Sequence, residues 1–500
     1  MSFVTHGVLQ SNAIQFSAAR WLKESRVCWH IAQKVSPWAP SMSKSLCTLP
    51  QQKADTRQKA HTSRVKTFEL RAEETQALRK RAEKASNVLL EAEKAQDPKN
   101  SKEYQKWRNI TATLFYDSFV DAYRKQKHDE AQQRFQNLQN LLYTQPAAIL
   151  SGLPTGWDSS TDHLPIPQSI NNSKNQKKMH DIEESKSAAT GKSSAVGSGK
   201  GSRVSETISR AVAGIFNDST KYTVQPYAAY AHMRGHFLTP EVHDIFPAPN
   251  LGDSINARPD LVAPQRPHVD MATTTFLPTL PVKEALLCLQ TGSVMVPTRF
   301  VPIQPVMDAL EAKEKTGGPA KSLVSLLQQN LFFWKGDLDK KWVETGPLVV
   351  RFEEKNNAYP LILETASPLR RAGASAEAET ARQLLGAAID KTDEEHGFNV
   401  FLKEGQMLIW DNLKWLHGRA DHMSYIEKPS PSEGDDMDFS SDAAKTLADV
   451  NAGKQRFFQL SSYKDDVRRT VAGLEDVNAN KPNTIPTNVK MPYLQNAVEY

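Results

Sequence analysis

The chain has 500 residues, of which 39% are hydrophobic, and a mean hydropathy of −0.54, so we expect sizeable polar segments around one globular core. Its 62 basic and 57 acidic residues leave a net charge of +5, a mild excess that does not favour nucleic-acid binding. No apolar run reaches the roughly 18 residues needed to cross a bilayer. The three cysteines, Cys28, Cys47 and Cys288, form no paired motif, which favours a reducing compartment without a disulfide framework.

Residues 1–66 form a basic leader that is rich in serine and expected to be disordered. It holds ten Lys and Arg residues against the two acidic residues Glu24 and Asp55. This composition is typical of an organelle transit peptide, such as a mitochondrial one, but an uncleaved leader or another kind of secretion signal shares it. The segment lacks the continuous apolar stretch of a general secretory signal. We therefore expect a cytoplasmic protein, with organelle targeting through the leader as the alternative.

Residues 67–157 are expected to be a mainly helical N-terminal part of the globular domain. Good helix formers dominate residues 67–95. A second helix is predicted over 101–125, where Ser101 is the candidate N-cap, and a third over 128–142. We interpret these helices as packed on a β core. A partner-binding coiled coil is the alternative, although no regular heptad is sustained.

A short strand and a polar insertion follow. The apolar run at 147–150 predicts a buried strand that ends at Gly152 and Pro154. Residues 158–205 are rich in Ser, Lys and Gly and have almost no apolar content. We interpret them as a disordered insertion rather than a domain.

The core is expected to span residues 206–423. It opens with a predicted helix over 205–216 and a Tyr- and Pro-rich stretch that contains His232, His236 and His243. The spacing of the first two histidines would suit one face of a helix, but a nearby glycine and proline disfavour a helix there. We interpret the three histidines as pocket or surface residues, not as metal ligands.

The rest of the core alternates between helices and strands. The patterns predict helices over 305–315, 322–331 and 376–395, two strands over 346–354 and 359–366 that are joined at Asn356-Asn357, and a hairpin over 398–412 that turns at Glu404-Gly405.

Three segments complete the chain. Residues 424–450 are acidic and are interpreted as a disordered, solvated insertion. Residues 451–480 contain the last core strand, over 456–463, and the segment after it. Residues 481–500 contain three prolines and are interpreted as a tail.

One histidine and one carboxylate have the spacing of metal ligands. His268 and Asp270 are two positions apart, and in an extended strand such residues point to the same face. A divalent first-row metal accepts such a pair together with a second histidine. His417 supplies it, in a predicted strand that follows the apolar run 407–410 and the turn residues Asp411 and Asn412. A surface pair and a core histidine at a strand end are the alternative readings.

These two stretches resemble the TauD/TfdA group of Fe(II)/2-oxoglutarate dioxygenases, in particular its clavaminate synthase-like branch. The resemblance lies in the His-x-Asp followed by the apolar run EALLCLQ, and in the segment GQMLIWDNLKWLHGR around His417. Thr298 resembles the family's threonine that helps to hold 2-oxoglutarate. Arg456, in QRFFQLSSY, resembles the family's arginine that pairs with the far carboxylate of that co-substrate.

The resemblance implies a β-rich α+β fold, with a distorted double-stranded β-helix (jelly roll) core and flanking helices. It implies that His268, Asp270 and His417 bind Fe(II) and form the catalytic centre, with 2-oxoglutarate and O₂ as co-substrates. The implied reaction hydroxylates or desaturates an unactivated C–H bond of a small, amino-acid-like substrate, with release of succinate and CO₂. Halogenating relatives replace the carboxylate ligand with a small residue, so Asp270 favours hydroxylation or desaturation.

One departure from the family pattern concerns the arginine. Arg456 follows His417 at a greater distance than is usual in the family, and we attribute this to the acidic insertion. Arg419 is the nearer rival and is expected to support the pocket. A non-catalytic scaffold on the same fold and a protein-modifying oxygenase remain alternative functions, and the size of the pocket discriminates the small substrate from the polypeptide.

Overall fold

The computed structural model describes residues 65–123, 127–157, 200–218, 220–228, 238–245, 265–270, 280–291, 297–317, 322–335, 342–354, 357–364, 371–419, 457–465 and 471–472. Several predictions concern residues outside these ranges and stay predictions. They are the leader up to residue 64, most of the insertion 158–205, His232, His236, the acidic insertion 424–450, Arg456 and the tail.

Four helices form a layer on one side of the molecule. Helix α1 buries Leu78, Ala82, Ala85 and Leu89, which recur at three- and four-residue spacing and so form a single stripe. The layer buries its apolar stripes against the largest sheet. Its helices are α1 (Ala72–Glu93), α2 (Lys102–Tyr123), α3 (His128–Thr144) and α4 (Lys200–Ala211), with short 3₁₀ turns at Pro98–Asn100 and Val212–Ile215.

The N-terminal predictions are confirmed for α2, α3 and the strand β2 (Ala147–Ser151). Ser101 caps α2, since its Oγ accepts a hydrogen bond from the Tyr104 N–H at 3.1 Å. The helix predicted from residue 67 is wrong at its start. Residues Lys66–Glu69 are instead a strand, β1, which pairs in parallel with β2 and buries Phe68.

Helix α4 begins inside the range predicted as insertion. It starts at Lys200, and Arg203 and Ser205 are buried against the rest of the layer. The polar composition of this stretch was misleading because these side chains are held by ionic and hydrogen-bond partners rather than by solvent.

The major sheet is the structural centre of the molecule. Its strand order is β1-β2-β15-β7-β17-β4-β3, with β5 also paired to β17. The predicted last core strand therefore lies inside the sheet. The strands not yet given are β3 (Asn217–Asp218), β4 (Tyr222–Tyr227), β5 (Val242–Ile245), β7 (Lys283–Gln290), β15 (Met407–Asp411) and β17 (Phe457–Asp465).

A minor antiparallel sheet faces the major one and has the order β14-β8-β16-β6. Its strands are β6 (Gln265–His268), β8 (Thr298–Pro302), β14 (Phe398–Val400) and β16 (Trp415–Arg419). The chain alternates between the two sheets, from β6 to β7 to β8, and again from β14 through β15 and β16 to β17. This alternation is the connectivity of a jelly roll, so the predicted β-rich α+β fold with flanking helices is confirmed.

The hairpin predicted over 398–412 is wrong, although its turn is present. Gly405 lies in a turn with φ of +72°, a conformation that favours glycine. The strands on either side do not pair with each other, because β14 joins the minor sheet and β15 joins the major sheet. The turn therefore carries the chain from one sheet to the other.

The three helices and the two strands predicted after residue 300 are confirmed, with shifted ends. They are α5 (Ile303–Lys315), α6 (Leu323–Leu327), α7 (Ala376–His396), β11 (Val349–Glu354) and β12 (Asn357–Ile362). The structure adds four strands that were not predicted, β9 (Phe332–Lys335), β10 (Trp342–Gly346), β13 (Arg371–Gly373) and β18 (Val471–Ala472). Strands β10, β9 and β13 form one three-stranded sheet, and β12, β11 and β18 form another. None of the described helices combines the length and the apolar composition that crossing a membrane requires.

Candidate metal centre

Two neighbouring strands of the minor sheet bring the two histidines together. His268, at the end of β6, is the cross-strand partner of His417 in β16. Directly paired residues of antiparallel strands share one face. Their ring centroids accordingly lie 4.3 Å apart.

Asp270 reaches the same point from a turn rather than from the predicted strand. Strand β6 ends at His268, and Asp270 begins a turn. The intervening residue, Val269, donates its N–H to the Glu364 carbonyl oxygen at 2.8 Å, which ties this turn to the end of β12.

The three side chains converge on one another. Asp270 Oδ1 lies 3.4 Å from His268 Nε2, and Asp270 Oδ2 lies 3.4 Å from His417 Nε2. One ligand atom from each residue lies within 4.8 Å of the others, and all three residues are buried. In the part of the chain that the structure describes, no other group of histidine, cysteine and carboxylate side chains has this property.

A backbone carbonyl group determines which ring nitrogen of His268 carries the proton. Its Nδ1 lies 2.8 Å from the Arg266 carbonyl oxygen, which can only accept, so Nδ1 carries the proton. Nε2 then keeps its lone pair and points it towards Asp270. This arrangement is the one that metal-binding histidines use. His417 Nδ1 is also buried but has no partner among the described residues.

Burial and neighbouring groups shift the pKa values of two candidate ligands, His417 and Asp270. Burial lowers the pKa of His417, and the neighbouring His268 lowers it further, which favours the neutral, metal-binding imidazole. Burial by itself raises the pKa of Asp270, but the adjacent imidazoles, His417 foremost, hold this pKa well below its usual value. Both shifts favour the protonation forms that bind a metal ion, an ionised carboxylate and a neutral imidazole.

An aromatic cluster shields the inner side of the site. The Trp410 ring centroid lies 4.9 Å from that of His417, and Phe300 lies between Trp410, Trp415 and Phe398 at 5.6–6.2 Å. These rings fill the space between the two sheets. They keep water from the inner side of the histidines, where it would compete with ligand binding.

Two residues that the sequence reasoning did not single out contact or adjoin the site. Asn412, interpreted only as a turn residue, is fully buried and hydrogen-bonded to the backbone of Asp270. Glu284 is fully buried in β7 and accepts a hydrogen bond from the Ser462 hydroxyl at 3.1 Å. Burial raises the pKa of Glu284 well above its usual value, and the charge of Asp270 raises it further, which favours the protonated carboxyl. The sequence feature that could have identified Glu284 is its position as a charged residue inside an apolar strand.

The predicted co-substrate residues have different outcomes. Thr298 is half-buried in β8 and is paired with Arg419 of β16, while Phe300 is paired with His417. By the alternation of strands, these four residues share one face of the minor sheet, the face that carries the candidate metal ligand His417. Arg456 lies outside the described residues, directly before β17.

His243 lies away from the three ligands. It is buried in β5 and paired with Leu460. Among the described residues, the candidate ligand cluster does not include it.

The chain was also compared with known proteins. No family model and no curated protein matches it. Among solved structures, it is similar to an asparagine oxygenase in complex with Fe(II), 2S,3S-3-hydroxyasparagine and succinate, with 15% identity, a TM-score of 0.44, and coverage of 79% of this chain and 92% of that chain.

It is also similar to the non-heme iron oxygenase OrfP. The complex of OrfP with Fe and alpha-ketoglutaric acid aligns with 12% identity and a TM-score of 0.43, over 79% of this chain and 93% of that chain. The complex with Fe and L-canavanine aligns with 12% identity and a TM-score of 0.42, over the same shares. Because these TM-scores lie below 0.5, the function proposed for this chain rests on its own strands and side chains.

Proposed function

We propose that this protein is an Fe(II)/2-oxoglutarate-dependent oxygenase that hydroxylates or desaturates a small, amino-acid-like substrate. The observation that carries the proposal is the convergence of His268, Asp270 and His417 on the face of a jelly-roll sheet. Two imidazoles and one carboxylate are the ligand set of non-heme iron oxygenases, which leave positions open for other ligands.

The donor set of these residues fits a divalent iron ion. Both imidazole Nε2 atoms face the carboxylate, which is the anionic member of the set. Among the described residues, no Lys or Arg side chain forms an ion pair with Asp270, so its negative charge is available to a cation. When bound, Fe(II) would supply the activation of O₂ that C–H oxidation requires.

The minor sheet also offers groups for the co-substrate. Thr298 has a hydroxyl that can donate to a carboxylate, and it lies on the ligand-bearing face beside Arg419. Arg456 is proposed to pair with the far carboxylate of 2-oxoglutarate, because a guanidinium binds a carboxylate through two hydrogen bonds. Arg419 is proposed to support the pocket.

The carboxylate at position 270 favours some oxidation reactions over others. Asp270 occupies a position from which a small residue would leave room for a halide, and its backbone N–H and carbonyl oxygen are hydrogen-bonded to the Asn412 side chain. Hydroxylation or desaturation is therefore proposed over halogenation. The interior strands β7 and β17 add the buried Glu284 carboxyl, whose pKa burial raises, and the Ser462 hydroxyl that donates to it, near Asp270. Such groups suit a polar substrate of small size.

A turnover assay tests this function. The full chain is incubated with Fe(II), 2-oxoglutarate and O₂, and succinate is measured with and without each free amino acid. We expect one or a few amino acids to stimulate succinate formation above the uncoupled rate, with a hydroxylated or desaturated product of matching mass. Stimulation by peptides alone would indicate a protein-modifying oxygenase. An absence of succinate under all conditions would contradict the proposal in favour of a non-catalytic scaffold.

We propose a cytoplasmic location, with organelle targeting through residues 1–66 as the alternative. The basic, acid-poor composition of the leader supports the alternative, and the absence of a disulfide framework supports a reducing compartment. Fluorescent fusions of the full chain and of a chain without residues 1–66 separate the two: an identical distribution supports the cytoplasm, and loss of an organelle signal supports targeting.

A further inference from the structure

The Asn412 side chain forms hydrogen bonds with the backbone of Asp270 and with the backbone of Pro281. Its Oδ1 accepts a hydrogen bond from the Asp270 N–H at 3.1 Å, and its Nδ2 donates to the Asp270 carbonyl oxygen at 3.3 Å. The same Nδ2 donates to the Pro281 carbonyl oxygen at 2.9 Å, and the Asn412 N–H donates to the Val282 carbonyl oxygen at 3.1 Å. The side chain is fully buried, so none of these bonds is shared with solvent.

The turn that contains Asn412 does not need its side chain. Asp411 closes this turn, because its Oδ1 accepts from the Leu413 N–H at 3.1 Å and its carbonyl oxygen accepts from the Lys414 N–H at 3.2 Å. The amide of Asn412 is therefore directed across the molecule, to residues far away in the sequence. A role limited to turn formation does not account for these bonds.

We propose that Asn412 is a positioning residue that holds the Asp270 carboxylate in place for metal binding. The inference rests on the proposed function, since it assumes that Asp270 is a ligand. Both backbone polar groups of Asp270 are bound to one rigid amide, which fixes the two peptide planes on either side of its Cα. Only the side-chain torsions of Asp270 stay free to adjust.

Asn412 also links two ligands of the site. It lies between β15 and β16, and β16 carries His417. A short, hydrogen-bonded path thus runs from the Asp270 backbone through Asn412 to the strand of His417. Residues that orient metal ligands in this way contribute about 10–100-fold to metal affinity.

The test is an anaerobic titration of the full chain with Fe(II) alone. The variants Asn412→Ala and Asn412→Asp are compared with the wild type. Asn412→Ala removes all three side-chain bonds. Asn412→Asp keeps an acceptor for the Asp270 N–H but directs an oxygen at two carbonyl oxygens. We expect both variants to bind Fe(II) about 10–100-fold more weakly while the metal-free proteins still unfold cooperatively.

Ser86→Ala is the matched control. Its buried hydroxyl lies within hydrogen-bond distance of two acceptors in the helical layer, the Ala82 carbonyl oxygen at 2.7 Å and the Arg203 carbonyl oxygen at 2.9 Å. This variant also loses buried hydrogen bonds to the backbone. We expect it to lower stability and to leave the Fe(II) affinity of the folded protein unchanged.

The outcomes separate the inference from the proposed function. If the wild type binds Fe(II) and both Asn412 variants bind it with the same affinity as the wild type, the inference is wrong and the proposed function stands. No Fe(II) binding by the folded wild type overturns both. If the variants do not fold, amide hydrogen exchange in the metal-free wild type decides: a protected Asp270 N–H supports the inference, and exchange at the rate of an unbonded amide contradicts it.

Discussion

The helical layer and the metal centre both bury charged groups, but they satisfy them in different ways. In the helical layer, Arg203 is buried between Glu206 at 2.6 Å and Glu93, and Thr239 donates to the same Glu206 at 2.8 Å. Each charge there has a counter-charge from the chain itself. At the proposed metal centre, the groups of opposite charge type that pair with Asp270 are two imidazoles, His268 and His417, and the buried Glu284 carboxyl lies nearby.

This difference separates a structural cluster from a binding site. A buried ion pair that is complete within the chain has no need of a ligand, and removing one partner costs stability. At the proposed metal centre, the carboxylate and the two imidazoles form a cluster that a metal cation would complete. The two regions should therefore respond differently to equivalent substitutions: the metal centre through binding and the helical layer through stability.

The largest effect is expected from His417→Ala. This change removes a ligand, so Fe(II) affinity and 2-oxoglutarate turnover should each fall by more than about 100-fold, the upper end of the loss from removing an outer partner. Anaerobic Fe(II) titration and succinate measurement check it. His396→Ala, on the exposed end of α7, is the control and should change neither. Full turnover by His417→Ala would contradict the ligand assignment.

The second effect tests the helical layer. Arg203→Met leaves Glu206 and Glu93 without their buried cation, so the free energy of unfolding should fall by about 3–5 kcal/mol. Urea unfolding measures this change. Arg81→Met is the matched control, since Arg81 pairs with Asp117 and Asp121 at the surface and its loss should cost less than about 1 kcal/mol. A weaker Fe(II) affinity in folded Arg203→Met would contradict the claim that the helical layer contributes to stability and not to metal binding.

A third prediction extends the binding region to the co-substrate. Arg456→Ala leaves the far carboxylate of 2-oxoglutarate unpaired, so the apparent Kd for 2-oxoglutarate should rise about 10–100-fold, with Fe(II) affinity unchanged. Titration of the Fe(II)-loaded protein with 2-oxoglutarate measures the shift. Arg419→Ala is the comparison. If it produces the large shift and Arg456→Ala does not, Arg419 is the partner of the carboxylate.

The smallest effect is expected from Thr298→Val. This nearly isosteric change removes one hydroxyl from the ligand-bearing face, so 2-oxoglutarate should bind about fivefold more weakly, the value of one ordinary hydrogen bond. The same titration measures it. Thr380→Val, on the exposed face of α7, loses only a bond to the Ala376 carbonyl oxygen and should have no effect. An unchanged Kd in Thr298→Val would remove this residue from the co-substrate site.

Local patterns in the sequence were sufficient for most helices and for the strands of His268 and His417, but not for Asp270, which lies in a turn after β6. The spacing of His268 and Asp270 and the strand around His417 are short-range features, and so is the cap at Ser101. Their structures depend mainly on neighbouring residues. The sequence could therefore identify them without knowledge of the tertiary fold.

Long-range pairing could not be predicted in the same way. The strand β1 exists because it pairs with β2, and β14 and β15 part because each has a different sheet to join. The role proposed for Asn412 depends on Asp270, which is 142 positions away. No periodicity or spacing records such a contact, because it is set by the packing of whole sheets.

The most direct test is an anaerobic titration of the full chain with Fe(II) and 2-oxoglutarate, followed in the visible spectrum. A 2-oxoacid chelated on Fe(II) at open positions of a two-histidine, one-carboxylate site gives a charge-transfer band. The account predicts that this band appears in the wild type, saturates at one Fe(II) per chain and is lost in His417→Ala. A folded wild-type protein that gives no band, or a His417→Ala variant that keeps it, would contradict the proposed metal centre.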